Sequence, residues 1–147
     1  MAARVQIGAN LKQVVPFLGV VDMERSIRFY VDGLGFTVKH QWVPDGKLRW
    51  CWLTRGGASV MLQEFVKQGD GVLLPEGALG QGVSLCFQCE DGVALYREFL
   101  SRGIEAKEPF VGNSMWVTVL SDPDGYKLDF ESPTDLPEDT KLSEVEK

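Results

Sequence analysis

Few residues in this chain could carry acid–base, nucleophilic or ligating chemistry. There is one histidine, His40, and there are three cysteines, Cys51, Cys86 and Cys89. A single imidazole leaves little room for a nucleophile–base pair of the Ser–His or Cys–His kind. Cys86-x-x-Cys89 has the spacing of a redox pair. On a strand, however, the two thiols take opposite faces and lack the helix N-terminus that lowers a thiol pKa, so both read as packing. The glycines between 67 and 82 have no following Lys-Ser/Thr, which excludes a phosphate loop. What remains is a set of carboxylates, Glu64, Asp129 and Glu131, and four tryptophans. A carboxylate in an apolar pocket can act as a general base or hold a cation. Tryptophan faces stack on planar or cationic molecules.

The net charge of −6 argues against a nucleic-acid or anionic-membrane partner, since both select Lys/Arg-rich surfaces. The longest apolar run, Val14 to Val21, is far short of the roughly 20 residues of a bilayer span. The first residues lack the basic and apolar regions of a signal peptide. An odd, sparse cysteine count fits a reducing compartment. A cytoplasmic protein is expected.

The elements that must position these residues follow from periodicity. Val14 to Val21 reads as a buried strand, and Asp22 as the N-cap of a helix carrying Ile27, Tyr30, Val31 and Leu34. Gly33 and Gly35 end that helix. Strands follow at Phe36–Val43, Leu48–Thr54 and Ala58–Phe65, separated by Pro44-Asp45-Gly46 and Arg55-Gly56-Gly57. The order then restarts. Val83–Cys89 is a strand, and a helix from Glu90 or Asp91 runs through Leu95, Phe99 and Leu100 to Gly103. Strands follow at Ile104–Ala106, Met115–Leu120 and Tyr126–Phe130, the last after an Asp122-Pro123-Asp124-Gly125 turn. A shift of 68 residues pairs Val31 with Phe99, Gly35 with Gly103, Gly57 with Gly125 and Leu62 with Phe130, which marks an internal repeat. The expected division is an N-terminal extension (1–13), a first unit (14–66), a linker (67–82), a second unit (83–132) and an acidic, frayed tail (133–147).

Three segments carry a resemblance: Ser26-Ile27-Arg28-Phe29-Tyr30, Leu34-Gly35-Phe36, and Asp122-Pro123-Asp124-Gly125-Tyr126. With them the chain resembles, over about residues 14–132, the vicinal-oxygen-chelate superfamily of glyoxalases, extradiol dioxygenases and bleomycin-resistance proteins. The resemblance implies an α+β fold of two tandem βαβββ units whose curved mixed sheets form a cup. It also implies a homodimer in which the pocket is shared between subunits. Enzymes of the superfamily hold a divalent metal on His and Glu residues at set strand positions. Carried over one at a time, those positions fall on Val15, Met61, Val83 or Ser84, and Asp129. Only Asp129 ligates such an ion well. No metal and no cofactor of the family type are therefore expected. The expectation is a bleomycin-resistance-type protein, leaning away from catalysis, that sequesters a hydrophobic or cationic small organic molecule. The alternative is a lyase, isomerase or dioxygenase with a displaced or incomplete site, using Asp129, Glu131 or Glu64 as base with His40.

Strand alternation selects the pocket residues. Leu128 and Phe130 should pack on the helices, leaving Asp129 and Glu131 to face the cup. By the repeat, Met61 and Gln63 do the same. If Cys51 and Leu53 face the helices, Trp50 and Trp52 line the cup; otherwise the tryptophans fill the core or a dimer interface. Trp116, after the Gly112-Asn113-Ser114 loop, is placed to close one side.

Overall fold

The computed structural model describes residues 7–65 and 75–146. Much of the expected linker, residues 67–74, lies outside them, as does residue 66. The described chain forms two four-stranded sheets of identical order, β1-β4-β3-β2 and β5-β8-β7-β6. The first comprises β1 (Phe17–Val20), β2 (Thr37–Trp42), β3 (Trp50–Arg55) and β4 (Ala58–Glu64). The second comprises β5 (Ser84–Gln88), β6 (Phe110–Gly112), β7 (Met115–Ser121) and β8 (Lys127–Pro133). In each sheet the first strand pairs in parallel with the last strand, and the other pairs are antiparallel. A parallel neighbour requires a crossover, which one helix in each unit supplies.

Both helices start on an aspartate. Asp22 accepts from the Arg25 N–H at 3.2 Å to open α1 (Met23–Ile27), and Asp91 accepts from the Ala94 N–H at 2.9 Å to open α2 (Gly92–Ser101). Such caps are worth about 1 kcal/mol each. The first helix does not keep regular 3.6-residue spacing to its end. Arg28–Gly33 is π-helical, and the Leu34 N–H reaches back to the Phe29 carbonyl. This wider turn absorbs one extra residue. It accounts for a slip in the repeat. Met61 and Asp129 are 68 apart, but their parallel partners Phe17 and Cys86 are 69 apart. The same 69 separates Asp22 from Asp91. The counterpart of Val15 is therefore Ser84, not Val83.

Two expectations do not hold. Ile104–Ala106 is not a strand; the Ile104 N–H bonds to the Phe99 carbonyl at 2.9 Å and so closes α2. The first strand after the helix is instead β6. Nor is the tail frayed. The Val111 N–H donates to the Thr140 carbonyl at 2.8 Å, Lys141 bridges to Phe110, and α3 (Leu142–Val145) buries Leu142. The tail thus covers an edge strand that would otherwise expose unpaired backbone.

One apolar core spans both units. Leu18, Val20, Cys51, Leu53, Val60 and Leu62 join Phe99, Leu120, Leu128 and Phe130 in it. Aromatic contacts cross between the units: Phe36 packs edge-on against Phe87 (6.1 Å), which stacks on Phe130 (4.9 Å). With the helices and these residues on one side, the opposite face of each sheet is left open.

Candidate functional site

The open face of the first sheet is read directly from its register, because residues opposite one another across a ladder share a face. One row runs Phe17, Met61, Trp52, His40, and the next Gly19, Gln63, Trp50, Trp42. Trp50, Trp52, Met61 and Gln63 are all part-buried on this face, while Cys51 and Leu53 are wholly buried on the other. The structure therefore brings these four together. It adds residues that alternation within a single strand did not single out. Phe17 and Trp42 are 47% and 57% exposed on the same face. Phe65 covers Gly19 so closely that a Cβ there would lie 2.3 Å from its ring. His40 sits edge-on to Trp52 at 5.9 Å, and Lys39, at a register shift in β2, places its ammonium 5.2 Å from the same ring. The Trp52 indole N–H is buried and lacks an acceptor among the described residues.

The open face of the second sheet is polar at one end. Cys86, Asp129 and Val119 form one row, and Gln88, Glu131, Val117 and Phe110 the next. The Gln88 amide donates to Glu131 at 3.0 Å and to the Cys86 sulfur at 3.2 Å. Burial, then repulsion from Glu131, raises the Asp129 carboxyl above its ordinary value. Burial likewise raises the thiols of Cys86 and Cys89, opposite to an activated nucleophile.

Trp116 does not join Asp129 and Glu131. It lies opposite Ser132, and so on the side of Leu128 and Phe130, where the Ser132 hydroxyl accepts from the Gly92 N–H of α2 at 2.8 Å. Glu64 is also committed elsewhere. It accepts from the Met23 N–H at 3.0 Å and pairs with Lys47 at 2.9 Å, and these contacts outweigh burial and hold its carboxyl low. It is poorly suited to act as a base.

The positions that the resemblance assigns to a metal carry Val15, just before β1, and Met61, Ser84 and Asp129 on strands. One carboxylate and one hydroxyl cannot hold a borderline divalent ion. Among the described residues, no three His, Cys, Asp or Glu side chains converge as a ligand set. The residues do not fit the group.

The duplicated fold and its open faces define a protein of the glyoxalase fold class. Residues 10–130 match the Glyoxalase/Bleomycin resistance protein/Dioxygenase superfamily, and the chain belongs to that superfamily. No curated protein sequence matches the chain significantly. Among solved structures it is similar to TioX from Micromonospora sp. ML1, with 18% identity, 83% and 98% of the two chains covered, and a TM-score of 0.67. It is also similar to a bleomycin resistance determinant encoded on transposon Tn5, with 24% identity, 86% and 100% coverage and a TM-score of 0.64. A third is a bleomycin-binding protein complexed with bleomycin, with 22% identity, 83% and 98% coverage and a TM-score of 0.62. Among the described residues, no helix is long and apolar enough to cross a membrane.

Proposed function

We propose that this chain binds, without a metal, a planar organic molecule that is apolar or cationic. The observation that carries the reading is the shared open face of Trp50, Trp52, Met61 and Gln63, flanked by Trp42, Phe17 and Phe65. An open surface this rich in aromatics in one place marks a binding surface more often than a solvated one. The Asp129–Glu131 strand supplies negative charge for a cationic group. In this proposal a second subunit brings its acidic strand over the tryptophan face, so that the homodimer completes each cup. A bleomycin-resistance-like role is consistent with the bleomycin-bound neighbour of the same fold. A cytoplasmic location belongs to the proposal and rests on three free cysteines.

Bleomycin and a panel of planar cationic dyes, titrated against tryptophan fluorescence, test this reading. We expect saturable quenching by at least one of them. Each stacking or cation–π contact is worth about 0.5–2 kcal/mol. Replacing Trp50 and Trp52 together by Ala should therefore weaken binding about fivefold or more. Unchanged affinity in that double variant would remove the assignment. Sedimentation velocity at two concentrations tests the dimer.

A further inference from the structure

The two units close against each other differently at one position. In the second hairpin the chain turns between Asp122 and Tyr126, whose backbones bond at 2.9 Å. In the first it turns between Arg55 and Ala58, the last pair of their ladder. Tyr126 and Ala58 are thus equivalent, each the first residue after the turn.

Tyr126 spans the seam between units. Its hydroxyl donates to the Gly19 carbonyl on the outer strand of the other unit at 2.8 Å. Its ring is covered by Gly80, where a Cβ would approach it to 2.7 Å. Ala58 ends at its Cβ, and among the described residues no side chain fills the corresponding seam. A cleft of about 1130 Å³ lies there, lined by Ala58, Leu85, Phe87, Gln88, Leu95 and Phe99 among others. At its rim Arg55 pairs with Glu98 at 2.7 Å and donates to the Leu34 carbonyl at 2.6 Å.

The acceptor used by Tyr126 also has a counterpart in the cleft. Gly19 is two residues beyond Phe17, the partner of Met61, and Gln88 is two residues beyond Cys86, the partner of Asp129. The Cys89 N–H bonds to the Glu131 carbonyl across the β5–β8 ladder. Alternation in a parallel ladder then turns the Gln88 carbonyl to the free edge of β5, toward the cleft.

We propose that this cleft is a second binding site, separate from the tryptophan face, for phenolic aromatic molecules. A hydroxyl-bearing ring takes the place of the tyrosine side chain that the first unit lacks, and its hydroxyl donates to the Gln88 carbonyl. The volume slightly exceeds the roughly 300–1,000 Å³ of a site for a drug-sized ligand, far more than one phenol ring needs. The ring therefore belongs to a larger apolar body lying along Leu85 and Leu95.

Amide NMR titrations with p-cresol, toluene and 2-naphthol test the proposal. Expected are shifts at Ala58, Gln88 and Leu95, with p-cresol binding about threefold or more tighter than toluene, as one neutral hydrogen bond allows. 2-Naphthol should bind more tightly than p-cresol, through its second ring. Ala58→Tyr should weaken all three ligands at least tenfold and raise the thermal midpoint by filling the seam with its own ring. Should that variant fail to fold, Ala58→Leu blocks the cleft with a smaller side chain and should lose binding likewise. Equal affinity for p-cresol and toluene, or wild-type affinity in the folded Ala58 variant, would overturn the proposal. So would shifts confined to Trp50 and Trp52, which would leave the tryptophan-face reading intact.

Discussion

The Tyr30 hydroxyl donates to a carboxylate oxygen of Asp122 at 2.8 Å, joining the first unit's helix to the second unit's hairpin inside the protein. Tyr30 is fully buried and Asp122 is 4% exposed. The other Asp122 oxygen accepts the Asp124 and Tyr126 N–H groups, both at 2.9 Å. The same turn is tied again to the first unit by the Arg25–Asp124 pair at 2.8 Å. On the opposite seam, Arg55 of the first hairpin grips Glu98 of the second unit's helix. Each hairpin is thus stapled to the other unit's helix, with acid and partner exchanged.

Removing the buried phenol leaves a carboxylate oxygen without its donor. Tyr30→Phe should lower unfolding free energy by about 1.5–3 kcal/mol, read by urea denaturation. Asp122→Ala should cost more, because three donors lose their acceptor. Equal stability of Tyr30→Phe and wild type would show that the hydroxyl contributes nothing.

The two staples should respond oppositely to pH. The hydrogen bond from Arg55 is the main cause holding Glu98 below its ordinary value. Its contribution is therefore present above the unfolded-state pKa and disappears as pH falls through the folded one. Burial is the main cause raising Asp122. Between its unfolded and folded values only the native state holds the proton, so its contribution falls as pH rises through that window. The thermal-midpoint gap between wild type and Glu98→Gln should narrow from pH 7 to pH 3. The gap between wild type and Asp122→Asn should widen over the same range. Parallel changes in both gaps would refute the assignment.

On the open face, Gly19 makes room for Phe65. A Cβ there lies 2.3 Å from two ring atoms, so the ring must move. Gly19→Ala should destabilise by about 1–3 kcal/mol through overpacking. It should also shift the tryptophan emission maximum, because Gly19 shares its row with Trp50 and Trp42. An unaltered spectrum would place Phe65 away from that surface.

Gly35 and Gly103 both have left-handed backbone, at φ 79° and 84°. A Cβ at Gly103 meets nothing within 4 Å, so Gly103→Ala carries only the conformational cost of about 1–2 kcal/mol. At Gly35 the added carbon would lie 2.8 Å from Arg55 Nη1 and disturb its hold on Leu34 and Glu98. Gly35→Ala should therefore be the more destabilising by chemical denaturation. Equal losses would mean that the Arg55 staple adjusts freely.

Strand alternation, two aspartate caps and the glycine-marked turns were legible in the chain, because each is set by neighbours a few residues apart. Alternation put Asp129 and Glu131 on one side of the second sheet, and with the repeat it put Met61 and Gln63 on one side of the first. It paired Trp50 with Trp52 but left their side dependent on where Cys51 and Leu53 face, which the β3–β4 register decides. The motifs around Tyr30, Gly35 and Asp122 sufficed for the family. Only the tertiary structure placed Trp116 opposite Ser132, because a strand's period does not say which partner it meets or in what register. Only the structure showed that the π-helical turn absorbs one residue, that the acidic tail docks on β6, and that Phe65 folds over Gly19. Long-range pairing also decided that, among the described residues, Tyr126 fills one seam while Ala58 leaves the other open. That difference is plain in the sequence as two residues, but it becomes a cleft only when two units close against each other.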